Sequence, residues 1–235
     1  MNQFKKAPLV EAVFEIRFPP ELSIESRRDK YYEKIKREYP KIFVPGILSG
    51  ESPSLKVYQF KSENEKKLIQ FCINRFSFHM YKEAYNQRGF RGFNTECLKY
   101  MNSFCDLYKI SNLRRTGLRY INHISILKEV DGSIPIGRYI NLKYDLPHSI
   151  PQKFNLFTTT LVVQKGKGKL RILIEYQKLP TPQETEIILL DFDYYLEKDL
   201  VADKLAGYLS DSHSRTEEVF LDLITKEYEE AIKGE

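Results

Sequence analysis

From Val10 to Phe18 every second residue is apolar. Val10, Ala12, Phe14, Ile16 and Phe18 fall on one side, and Glu11, Glu15 and Arg17 on the other. Period two belongs to an extended strand with one buried face. A strand cannot bury that face alone, so the fold is built around a sheet with a second layer over it. Pro19-Pro20 ends the strand, since proline brings no ladder donor. Ile24, Arg28, Tyr31, Ile35 and Tyr39 then step by three and four. That spacing predicts a charged helix with Ser23 as N-cap and Pro40 as its stop.

A Gly/Pro/Ser-rich stretch from Pro45 to Pro53 leads into two expected strands, Leu55–Lys61 and Lys67–Tyr81. In the second, the alternation Ile69, Phe71, Ile73 slips by one residue to Phe76, Phe78, Met80, which suggests a bulge near Asn74-Arg75. A helix is expected over Asn94–Tyr108 and a strand over Thr116–Leu127. Beyond Asp131-Gly132 a connection punctuated by Pro135, Pro147 and Pro151 precedes a three-strand meander, Phe154–Gln164, Leu170–Lys178 and Glu186–Glu197. Lys165–Lys169 forms its first turn and Pro180-Thr181-Pro182 its second. A long helical stretch closes the chain, with Ser214 and Glu217 spaced as a capping box that predicts a break near Asp211. The class this implies is α+β: a mostly antiparallel curved sheet with helices packed on one face and a long C-terminal helix. Residues 1–235 read as one domain, with 131–153 the candidate sub-boundary.

The interior relies on rings, because the chain has 16 Tyr and 15 Phe but no Trp. Cys72, Cys97 and Cys105 form no C-x-x-C pair, so reduced thiols and a cytoplasmic location are expected and a zinc site is not. No apolar run approaches a membrane span. Residues 1–130 carry 24 Lys+Arg against 14 Asp+Glu, whereas residues 131–235 carry 13 against 18. A basic half beside an acidic one suits an anionic partner.

Ala7-Pro8-Leu9-Val10-Glu11-Ala12-Val13-Phe14-Glu15-Ile16-Arg17-Phe18 resembles the opening signature of a sporadically distributed prokaryotic family of conserved hypothetical proteins. Leu118–Ile124, Leu190-Asp191-Phe192-Asp193 and the final helix from Ser212-His213 to Leu223-Ile224-Thr225 look like the same family. The resemblance brings no catalytic residue. In size, charge and strand–helix mixture the chain is also similar to the separate N-terminal-half partner of truncated prokaryotic Argonautes. That likeness implies an accessory subunit in prokaryotic defence.

The strongest candidate for a nucleic-acid site is Arg88-Gly89-Phe90-Arg91-Gly92-Phe93, read as a loop before the helix. Guanidinium groups bind phosphate through paired hydrogen bonds, and rings stack on bases. The same pattern suits a loop whose phenylalanines plug the core. Arg114, Arg115 and Arg119 add three charges near a strand start, and Lys165, Lys167 and Lys169 add three at a hairpin tip. Asp191 and Asp193, two apart on a strand, suit either a Mg²⁺ pair or the solvated face of an edge strand. The four histidines, His79, His123, His148 and His213, show no metal-ligand spacing. The expected function is a non-enzymatic accessory protein that docks on a partner protein encoded nearby and helps hold nucleic acid, with no cofactor and no membrane. Two alternatives are a sheet gripping its helix around a small apolar ligand, and a metal-dependent phosphotransfer enzyme using Asp191 and Asp193.

Overall fold

The structure is a computed structural model that describes residues 4, 6–43, 56–143, 147–150, 154–179, 186–198, 200–201 and 204–234. The chain runs β1 (Leu9–Arg17), α1 (Ser23–Ser26), α2 (Arg28–Ile35), β2 (Lys41–Phe43), β3 (Tyr58–Lys61), β4 (Lys67–Cys72), β5 (Arg75–Tyr81) and α3 (Lys82–Tyr108). It continues through β6 (Asn112–Leu113), β7 (Arg115–Ser125), α4 (Ile136–Tyr139), β8 (Thr158–Lys165), β9 (Gly168–Lys178), β10 (Glu186–Leu196), β11 (Leu200–Val201), α5 (Leu205–Leu223) and α6 (Lys226–Lys233). A large antiparallel sheet with helices, including a long helix near the C-terminus, makes the class α+β. No helix among the described residues is long and apolar enough to cross a membrane.

Two compact units share this chain. Unit one comprises Met1–Val10, Tyr120–Tyr194 and His213–Glu235, and unit two comprises Glu11–Arg119 and Tyr195–Ser212. Strands β1, β7 and β10 and helix α5 each pass from one unit into the other along the chain. The proline-punctuated 131–153 connection falls inside unit one.

Unit two contains the strand order β2-β3-β4-β5-β1-β7. Its register pairs Phe14 with Phe78 and Ile16 with Phe76 across β1 and β5, and Ile69 with Phe78 across β5 and β4. One face of this sheet is therefore a field of rings, and α2 and α3 lie on it. Phe104 of α3 is the hub: its ring centroid is 4.8 Å from Phe76, 4.8 Å from Tyr108, 5.1 Å from Tyr31, 5.3 Å from Phe71 and 6.0 Å from Phe18. Tyr31 is buried, and its hydroxyl donates to the Tyr100 carbonyl at 3.0 Å. A phenol at the centre of a core needs such a partner.

Three local expectations are corrected in unit two. The slip near Asn74-Arg75 is a hairpin: Cys72 pairs with Arg75, leaving Ile73-Asn74 as a two-residue connection between antiparallel β4 and β5. A reversal and a bulge leave the same one-residue phase shift in the sequence. The predicted first helix is two, divided at Arg27 (φ −124°). Ser23 does not cap it but opens α1, its N–H donating to Glu21 Oε1 at 2.9 Å. The expected strand start at Leu55 lies outside the described residues, as do Pro180-Thr181-Pro182 and the 45–53 stretch.

Unit one contains the order β7-β10-β9-β8. Leu190, Phe192 and Tyr194 of β10 and Leu170, Ile172 and Ile174 of β9 supply its core, where Phe220 of α5 lies 6.1 Å from Phe192. The hairpin between β8 and β9 closes on the Lys165–Gly168 pair. Gly166 stands at φ +60° in the first central position, the conformation of a II′ turn that glycine supplies without strain. Helix α5 runs unbroken through Asp211 and Ser214, so the expected capping box is not a helix start. The break falls at Ile224 instead. Asn141 Nδ2 donates to the carbonyls of Asp222 and Ile224 at 3.2 and 2.9 Å, and Thr225 Oγ1 accepts from the Tyr228 N–H at 3.1 Å as the N-cap of α6.

Cys72, Cys97 and Cys105 are free and buried. Burial pushes the Cys97 thiol up and the Cys105 thiol up to about 12, so neither is a thiolate near neutrality. An aromatic disulfide reagent is therefore expected to label the native protein slowly and all three thiols promptly in denaturant. Fast labelling of the native chain would contradict this burial.

Candidate nucleic-acid interface

Strand alternation gives the sheet of unit two a second face, turned away from α2 and α3. On β1 it carries Glu11, Val13, Glu15 and Arg17, and on β5 Arg75, Ser77, His79 and Tyr81. On β7 it carries Arg115 and Arg119. The register sets Glu15 opposite Ser77 and Arg17 opposite Arg75. Glu15 thereby becomes the centre of a basic cluster. Its carboxylate lies 2.7 Å from Arg17, 3.3 Å from Arg115 and 3.7 Å from Arg75. Arg115 also lies over the Tyr195 ring, 4.7 Å from its centroid, a favourable cation–ring geometry.

One carboxylate cannot satisfy three guanidinium groups. Each guanidinium presents five N–H donors, and a carboxylate offers about four acceptor sites. Arg17 is half exposed, with 52% of its side chain open to solvent, and Arg75 is 35% open. These two guanidiniums turn charge toward an incoming anion, while Glu15 fixes the orientation of the forks. Arg119, exposed and two positions beyond Gly117 on β7, extends the basic face along that strand.

Next to the arginines lies a chain of polar contacts that the sequence did not reveal. Ser77 Oγ is 2.9 Å from His79 Nε2, and His79 Nδ1 is 2.7 Å from Glu11 Oε1. Hydroxyl, imidazole and carboxylate stand in the order of a hydrolytic triad. Their setting is different. Ser77 is buried in mid-strand on β5, between β4 and β1, where the ladders take up its own N–H and those of its neighbours. Oxyanion stabilisation requires free, convergent donors, and this serine has none from its own main chain. The contacts satisfy a buried hydroxyl and orient His79 on the polar face.

The residues singled out in the sequence are placed as follows. Arg88, Phe90, Arg91 and Phe93 are not in a loop but within α3, which kinks at Gly89 (φ 60°, ψ −170°). That conformation is open essentially to glycine alone. Arg88 forms an ion pair with Glu96 that also holds Lys67, at 2.8 Å. To reach Glu96 it crosses Gly92, where a β-carbon would meet Arg88 Cβ at 2.4 Å. Phe93 is fully buried, 5.5 Å from Phe78 and 6.0 Å from Tyr85, so it has no face to offer a base. Phe90 is half-buried and Arg91 exposed. The two glycines serve a helix kink and a side-chain crossing, and the motif is mostly structural.

Arg114 is exposed, and its N–H donates to the Arg17 carbonyl at 2.7 Å. Arg114, Arg115 and Arg119 belong to unit two together with Arg17 and Arg75; the Lys165–Lys169 tip belongs to unit one. In that tip Lys165 pairs with Glu218 of α5 at 3.0 Å, and Lys167 and Lys169 are exposed. Asp191 is not on a solvated edge: β10 lies between β7 and β9, and the Asp191 side chain is 1% exposed and 3.2 Å from Arg171. A guanidinium thus takes the place that a metal reading needs for a cation. Among the described residues no group of three His, Cys, Asp or Glu side chains converges as a metal site. Sequence reading passed over Arg17 and Arg75. The available signal was that Arg17 and Glu15 share the polar side of β1.

The chain matches no protein-family model and no curated protein.

Proposed function

We propose that the protein is a non-enzymatic accessory protein that holds single-stranded nucleic acid on the basic face of unit two and serves a partner protein. The observation that supports this reading is the convergence of Arg17, Arg75 and Arg115 from three strands on one carboxylate, with Arg119 farther along β7. Guanidinium forks match phosphate oxygens in pairs. A sheet face with an aromatic beside the charges suits an unstacked strand, whose bases can lie on rings such as Tyr195 while its backbone follows the arginines.

Binding carried this way is electrostatic and salt-dependent. Titration of a fluorescently labelled single-stranded oligonucleotide, followed by anisotropy, is expected to show affinity falling steeply with rising salt. The double variant R17A/R75A weakens binding across sequences and lowers the salt slope by about one for each arginine that meets a phosphate. R91A, on α3, changes it much less. Affinity insensitive to salt, or R17A/R75A binding like the wild type, would remove the basis for the proposal.

A groove in unit two lined by Phe18, Pro19, Pro20, Glu21, Lys109 and Ile110 has a volume of about 190 Å³, below the roughly 300–1,000 Å³ of ligand pockets, so this groove does not suit the alternative of a small apolar ligand. The ring-lined interior between sheet and α3 is filled by its own side chains.

A further inference from the structure

Strand β8 lies at the edge of the sheet of unit one, and among the described residues β9 is the strand it pairs with. It is eight residues long and open on both faces: Leu161 is 40%, Val162 55% and Val163 43% exposed. Soluble proteins guard such edges with charge, proline, bulges or brevity. The edge strand β2 of unit two follows that rule, with three residues and a lysine. Strand β8, Thr-Thr-Thr-Leu-Val-Val-Gln-Lys, has no proline and no charge before Lys165, whose ammonium is engaged by Glu218. Its regular one-to-one register with β9 holds no bulge. The hairpin tip is fixed in place, because the Arg215 guanidinium of α5 lies against Gly166 where a β-carbon would stand at 2.4 Å. The edge is long, unbulged and uncharged before Lys165.

The hairpin also decides which main-chain groups face outward. The pair that closes a two-residue hairpin is hydrogen-bonded, so Lys165, Val163 and Leu161 direct their N–H and C=O toward β9. Those of Gln164, Val162 and Thr160 point away from it. Among even registers for two such edges running antiparallel, one with Val162 on the two-fold axis is self-matched. Val162 meets Val162 of the second copy, Leu161 meets Val163 twice, and Thr160 meets Gln164 twice. Every apolar side chain of the strand then has an apolar partner, and no like charges oppose one another between Thr160 and Gln164. Leu161 and Val163 prolong the apolar row of Leu170 and Ile172 beyond β9, and this pairing covers that extension.

We propose that the β8 edge is a self-association surface whose occupant is a second copy of this chain, joined by antiparallel β8–β8 pairing about Val162. The inference is independent of the nucleic-acid reading, since it uses other residues and another unit. A two-fold interface of this kind is closed and isologous, so it yields dimers and not fibres.

Sedimentation velocity combined with light scattering is expected to give a dimer for the wild type. Val162→Pro removes an outward N–H without touching the bonds to β9, and Val162→Lys sets two ammonium groups against each other on the axis. Both are expected to give folded monomers with an unchanged circular dichroism spectrum. Val162→Cys gives the positive test. Hydrogen-bonded antiparallel partners stand about 5.5 Å apart at Cα, within disulfide reach, so mild oxidation should cross-link V162C and leave L161C uncoupled; the three native thiols are buried. A monomeric wild type, including one that meets only a strand of another protein, overturns the proposal. So do V162K remaining dimeric and cross-linking through L161C in place of V162C.

Discussion

Phe104→Ala is expected to lower stability by about 3–5 kcal/mol, the range for removing a large ring from a packed core. Five rings lie within 6.0 Å of the Phe104 centroid, and they come from Phe18 just after β1 and from α2, β4, β5 and α3 itself. None can collapse into the gap without leaving another neighbour, because each is held by its own strand or helix. Truncation therefore loses the transfer free energy of the ring and leaves most of the cavity standing. Urea unfolding of the variant, read as a shift in midpoint at constant slope, measures the loss. Phe104→Leu should recover a substantial part of it. A loss near 1 kcal/mol or less would show that the cluster relaxes around the hole and is not a rigid hub.

Acid is expected to weaken the fold through His213. This imidazole is buried in unit one, with Nδ1 2.9 Å from the Tyr120 hydroxyl and Nε2 3.8 Å from Glu217. The neutral ring that suits both neighbours carries its proton on Nε2, toward the carboxylate, and accepts from the phenol on Nδ1. Burial lowers its pKa to about 4, against the partial opposition of Glu217. In the unfolded chain the same ring titrates near 6.5. Between those values the unfolded state binds more protons, so stability rises with pH. The contribution is complete above about 6.5 and is lost as the pH falls toward 4, by on the order of 3 kcal/mol. Unfolding free energies measured across that window should fall more steeply for the wild type than for His213→Gln. Carboxylates titrate near the lower end in both proteins and cancel in the difference. Parallel curves would mean that His213 is not held neutral.

Much of the fold was readable because strand alternation and helical spacing are local. The alternation of β1 and the strands Leu170–Lys178 and Glu186–Glu197 of the meander appear within a residue or two of where their periods put them, whereas the first meander strand begins at Thr158 and not at Phe154. The errors share a cause: two local arrangements can leave one sequence pattern. A hairpin at Ile73-Asn74 shifts the alternation by one residue, as a bulge does, and lacks the glycine that usually marks a tight reversal. Arg88-Gly89-Phe90-Arg91-Gly92-Phe93 has the composition of a loop, but it lies within a helix kinked at Gly89, along which Arg88 reaches Glu96, the partner also of Lys67 on β4. Ser214 and Glu217 have capping-box spacing, yet the chain leaves its helix where Asn141, distant in sequence, takes the Asp222 and Ile224 carbonyls.

The basic face was legible in part. Arg115 and Arg119 stood out because they lie close together in sequence. Arg17 shares the polar side of β1 with Glu15 and was open to notice, whereas Arg75 was not, because its approach to Glu15 depends on the pairing of β1 with β5. Such a site is a property of register, and no single stretch of residues displays it. The Ser77–His79–Glu11 contacts escaped notice for the same reason.

The way the chain threads the two units limits how the protein can be divided. Unit one takes three separate stretches of sequence and unit two takes two, interleaved so that each crossing occurs within a strand or helix. No single cut in the gene can therefore yield either half as an intact piece. Expression of residues 1–119 or 120–235 would leave each product missing part of its own unit, and a protease that nicks an exposed connection would release no free-standing fragment.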